Sequence, residues 1–112
     1  MTGRAQSSAL TPWAGLFLGA AAWFAHHQIG SDANIWNCHA AGGAFVVGVG
    51  VACGLVALGG GVVSWMAQVP QDEDGRQNRG FARVVGMTGA GIFLLAIAFQ
   101  TLAGVLVPAC HR

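Results

Sequence analysis

The 112-residue chain has no lysine and only four acidic side chains, and its five cationic residues are all arginines. Charged residues make up 8% of it, where an ordinary soluble domain carries roughly 25%. So few charges cannot solvate the surface of a small globule, which excludes the usual soluble architectures. There is no basic patch to neutralise phosphates, so nucleic-acid binding finds no support. The acids are Asp32, Asp72, Glu73 and Asp74, and none falls inside an apolar run. A proton-coupled transporter would want a carboxylate or lysine at membrane depth. No Ser/His/Asp arrangement offers a catalytic triad either, since Ser31 beside Asp32 reads as loop chemistry. The spacings H-x-x-x-H and C-x-x-C are also absent. The expectation is therefore a non-catalytic protein, with no resident cofactor.

What the chain does have is apolar length. Hydrophobic residues are 54% of it and glycine numbers 18, without a Gly-X-Y period. Long apolar runs rich in small residues read as a single all-α membrane domain, residues 1–112, with three spans at about 11–29, 42–66 and 84–108. Pro12 suits a first helical turn, with Thr11 as its N-cap. A signal peptide competes for the first run because Arg4 precedes it, but Trp23 and Phe24 crowd any small-residue cleavage site. Residues 30–37 and 69–80 carry turn chemistry and read as the two connections. Short-loop arginines set orientation. Arg4, Arg76, Arg79 and Arg83 fall on one side and Arg112 on the other. The N-terminus is then cytoplasmic and the C-terminus periplasmic, in a bacterial inner membrane. Trp13 and Trp65 mark the inner interface, and Trp36 the outer one.

Small residues recur at helical spacing. Gly43, Gly50, Gly54, Ala57 and Gly61 fall on one stripe of the second span, and Gly15, Gly19, Ala22 and His26 on one stripe of the first. Such stripes let helix backbones approach closely in lipid. The third span has Gly86 and Ala90 at the same spacing. Its one strongly polar interior residue, Gln100, is expected to face the bundle. Cys53 lies mid-membrane and reads as a small buried apolar residue.

The topology gathers His26, His27, Cys38, His39, Cys110 and His111 near the outer face. In an oxidising compartment Cys38 and Cys110 are candidates for a disulfide; otherwise they stand as two unpaired thiols at helix ends. His26 reads first as a structural histidine bonded to a backbone carbonyl or to Gln100. Two ligand readings stand beside it. Copper or zinc would draw on His26, His27, His39, His111 and the thiolates. Haem b would need axial imidazoles from two helices at one depth, for which His26 and His39 are the nearest pair.

Trp23 followed by His26-His27-Gln28, then Trp36-Asn37-Cys38, then Gln100-Thr101-Leu102 running to Pro108-Ala109-Cys110, resembles a family of small bacterial three-helix membrane proteins. These are encoded beside haem-copper cytochrome c oxidase and its assembly factors. The resemblance covers all three spans through short motifs. It implies an accessory or assembly subunit of a respiratory terminal oxidase, packing against other membrane subunits, with Cys38 and Cys110 as the family's paired cysteines. It supplies no catalytic residue. The alternative is a copper- or haem-binding membrane protein that uses the outer-face histidines and cysteines.

Overall fold

A computed structural model describes residues 10–39, 41–67, 73–107 and 110, with side chains in the last helix described from residue 77. A 3-10 turn, Thr11–Trp13, leads into α1, Ala14–Trp36; α2 is Gly43–Trp65 and α3 is Glu73–Leu106. The molecule is all-helical and elongated, with extents of 58 × 24 × 17 Å. Each helix packs against the other two.

Three boundaries differ from the sequence expectation. Leu10, not Thr11, is the residue flanking the first turn, and Pro12 lies within that turn, where its missing N–H is no loss. Next, α1 does not stop near residue 29 but runs through Gly30, Ser31 and Asp32 to Trp36. Turn-type residues are weak helix breakers when no proline removes an N–H, and packing overrides them. The helix ends where Asn37 turns extended, its N–H still bonding the Ala33 carbonyl at 2.9 Å. Last, the charged stretch is helical from Glu73, so α3 begins eleven residues before the expected position 84. Its Glu, Gln and Arg residues are good helix formers, and no proline interrupts them.

α2 and the part of α3 from Gln77 to Leu106 are long and apolar enough to cross a membrane, with mean hydropathies of 2.3 and 2.0. At ~1.5 Å per residue, the 23 residues of α2 reach about the ~30 Å of a hydrocarbon core. Only 22% and 17% of these apolar windows are buried within the molecule. Large side chains such as Phe17, Leu55, Ile92 and Phe99 are more than half exposed. Helices apolar on the faces they leave open suit lipid rather than water. α1 is as long as α2 but less apolar, because its last three turns carry His26, His27, Gln28, Ser31, Asp32 and Asn34.

The core is small: Ala22, Cys53, Ala57 and Ile97 are buried, with Trp23, Ala25, Val49 and Leu94 packed against them. The buried stripe of α2 consists of Gly50, Cys53, Ala57, Gly60 and Ser64, stepping by three, four, three and four. It keeps Gly50 and Ala57 of the expected stripe and takes Cys53 and Gly60 in place of Gly54 and Gly61. Gly43 is exposed with nothing near its missing Cβ. Gly54 and Gly61 sit at the flank facing Leu94 and Ala90 of α3. Gly60 makes the close approach to α1, where an added Cβ would meet the Ala14 carbonyl at 3.0 Å. Gly15 of α1 is tighter still, because a Cβ there would strike the Gly86 carbonyl of α3. Gly19 packs on Phe93 and Ala90.

Candidate functional site

Polar chemistry collects at three levels along the bundle. At one end Ser64, fully buried on α2, donates its hydroxyl to the Pro12 carbonyl at 2.8 Å and accepts the Gly15 N–H at 2.7 Å. The first N–H groups of a helix have no partner within it. Ser64 supplies one from a neighbouring helix. Sequence reasoning passed over it, although a single serine near the end of a long apolar run was the available signal.

The second level holds His26, which is 6% exposed. Its Nδ1 lies 3.1 Å from Gln100 Oε1, and its Nε2 lies 3.2 Å from Thr101 Oγ1. Thr101 donates its only hydroxyl hydrogen to the Ile97 carbonyl at 2.7 Å, so toward His26 it accepts, and His26 carries hydrogen on Nε2. A neutral His26 in that tautomer needs the Gln100 amide with its nitrogen turned inward; a protonated His26 needs the oxygen inward. Gln100 also reaches His27, with Nε2 to Nδ1 at 3.4 Å. His27 is exposed and stacks on Trp23, with ring centroids 6.0 Å apart. Thr101 is the member of this network that sequence reasoning missed; its residue type and its place next to Gln100 were the only signal.

The third level lies beyond the ends of α1 and α3. Cys38 and Cys110, 72 residues apart, are joined by a disulfide with Cα atoms 5.2 Å apart. His39 stands beside them, and the three candidate ligand atoms lie within 4.8 Å of one another. Asn37 builds the local turn, since its Oδ1 accepts the His39 N–H at 3.1 Å. Cys38 is half-buried, while His39 and Cys110 are exposed.

The expected ligand set is therefore divided. His39 joins the two cysteines. His26 and His27 belong to the Gln100 network, and His111 lies outside the described residues. His26 and His39 are not at one depth: ten residues of helix separate His26 from Trp36, about 15 Å at 1.5 Å per residue. An axial haem pair is not formed by them. Cys53 is buried in the core, distant in sequence and depth from the other thiols.

Oxidised, the outer cluster offers an imidazole and a disulfide. Reduced, it offers two thiolates and an imidazole, a soft donor set of the kind that copper(I) and zinc take. No protein-family model, curated protein or solved structure matches the chain.

Proposed function

We propose that this is a three-span inner-membrane protein that holds one thiophilic metal ion, copper or zinc, at its outer end through Cys38, His39 and Cys110. The observation that carries the reading is the convergence of the three ligand atoms within 4.8 Å. Loading requires two-electron reduction of the disulfide by a thiol reductant and loss of both thiol protons, so metal binding and disulfide formation exclude each other. On this reading α1 is the third span, supported by its length of 23 residues and its packing against both other helices. The arginine asymmetry supports a periplasmic position for the cysteines.

Reduced, purified protein should take up one copper(I) or zinc per chain, and the disulfide form none. Cys110→Ser should abolish uptake, and His39→Ala should weaken it by about ten-fold, equivalent to ~1.4 kcal/mol. Unchanged stoichiometry in Cys110→Ser, read by metal analysis with a competing chelator, would sink the assignment.

A second reading has its own support. Ala44, Gly48, Ala52 and Gly59 lie on the face of α2 opposite its buried stripe, all exposed, and Gly48 and Gly59 have nothing within 4 Å of a would-be Cβ. Lipid-facing positions have no need of small residues, whereas a further helix does. On this reading the protein is an accessory or assembly subunit of a respiratory terminal oxidase, and this face of α2 meets the oxidase. Mild-detergent purification should bring down oxidase subunits with the parent chain and lose them in Gly48→Leu. Equal recovery with both chains would overturn this contact.

A further inference from the structure

Between the His26 network and the disulfide, the three helices form an open-sided cavity of about 240 Å³. Its wall includes His26, His27, Ser31, Asn34, Phe45 and Gln100. We propose that it is a binding site for the head of a para-quinone, a lipid-soluble ring with a carbonyl oxygen at each end. The proposal rests on the membrane placement above, and not on the metal site.

The lining chooses the chemical class. Among the described residues its wall carries no carboxylate, lysine or arginine, so neither an anionic headgroup nor a cation finds a fixed counter-charge there. Its polar groups are neutral donors, which suit carbonyl acceptors. Ser31 and Asn34 make no hydrogen bond to protein among the described residues, although both are half-buried. In either amide orientation Gln100 commits one hydrogen to a histidine, His26 or His27, and has a second to give. A cavity of this size lies below the roughly 300–1,000 Å³ of sites for drug-sized ligands, so it takes one ring rather than a fused system.

Spacing supports the para arrangement. His27, Ser31 and Asn34 are four and three residues apart on one face of α1, and neighbours at that spacing lie about 5–6 Å apart. Donors one turn apart match carbonyl oxygens on opposite ends of a single ring. Phe45 and Val46 of α2 and Gly104 of α3 supply apolar walls for the ring's faces. An added Cβ at Gly104 would meet Val46 at 2.7 Å, so glycine there sets how closely those walls approach.

The rim is tied. The lining residues Asn34, Ala41 and Val107 are each within four residues of Cys38 or Cys110. Ala41 bonds the Asn37 carbonyl at 3.2 Å, next to Cys38. The disulfide therefore holds together the ends of the segments that form the cavity's walls.

Calorimetric titration of the full chain in detergent micelles, with the disulfide intact and chelator present, tests this. Duroquinone is the probe, because its fully methylated ring resists thiol addition. Durene, the same methylated ring without carbonyls, is the control. One duroquinone per chain should bind, and durene about ten-fold more weakly or not at all, the equivalent of one lost hydrogen bond. Ser31→Ala, which disturbs no protein hydrogen bond, should weaken duroquinone by a similar factor and leave durene unchanged. Equal binding of the two probes, absence of saturable binding, or parental affinity in both Ser31→Ala and Asn34→Ala overturns the proposal. The sample is oxidised and metal-free, so a failed metal titration on reduced protein leaves this result standing.

Discussion

His26 shows how one residue's role is decided by hydrogen accounting. Both ring nitrogens are engaged, and the Thr101 hydroxyl is committed to Ile97, so the ring is held between two groups of α3. Replacing it by glutamine keeps one amide hydrogen bond across the helices. Replacing it by leucine leaves Gln100 without that partner at membrane depth. We expect His26→Leu to lose about 1 kcal/mol of stability, since interhelical hydrogen bonds in membranes average ~0.6 and reach ~1.7 kcal/mol. His26→Gln should lose less than half as much. Unfolding of both variants in mixed detergent measures the difference; equal losses would mean that the hydrogen bonds contribute little and ring packing dominates.

At the scale of the element, the beginning of α1 depends on α2. Gly15 N–H belongs to the first turn, where no partner exists within the helix, and Ser64 provides one while also binding Pro12. Gly15, Gly60 and Gly86 leave room for this contact: a Cβ at Gly86 would strike both Pro12 and Ser64. Ser64→Ala removes the acceptor and leaves the Gly15 N–H and the Pro12 carbonyl unmatched at a buried junction. The expected loss is about 1–3 kcal/mol, the cost of unsatisfied buried polar groups. Amide hydrogen exchange should show faster exchange confined to the first turns of α1. Uniformly faster exchange over all three helices would assign Ser64 to the global core instead.

For the whole molecule, orientation governs what the outer cluster meets. With Arg76, Arg79 and Arg83 at one end of the bundle and the Cys38–Cys110 disulfide at the other, the short-loop arginines predict an oxidising surrounding for the cysteines. A reporter active only after translocation should be active when fused after Arg112, and silent when inserted between residues 71 and 78. A cytoplasmic C-terminus would reverse the orientation and put the thiols in a reducing compartment. Two helices carry the apolar length to cross a membrane by themselves, and α1 packs on both.

Much of this was legible from residue types alone. Apolar transfer is roughly additive along a chain, so the runs around Gly54 and Leu94 announce membrane-length helices whatever their neighbours are. The depth of Gln100 and the direction of His26 follow from helical period, and their pairing was one of two alternatives. Helix ends were not legible: the turn-type residues of 30–36 yield to the fold, and the good helix formers of 73–83 stand in a charge run that reads equally as a solvated turn. Nor was the choice of Gly60 for the α1 contact, since stripes one position apart fit the same spacing and the crossing of three helices selects between them. The three-span reading already gathered Cys38, His39 and Cys110 near one face and left the disulfide as one of two alternatives; their closing to bonding distance, and the cavity beneath them, depend on chain segments ending at one level. That convergence is a property of the assembled bundle, because no local stretch of sequence holds both partners of a contact 72 residues apart.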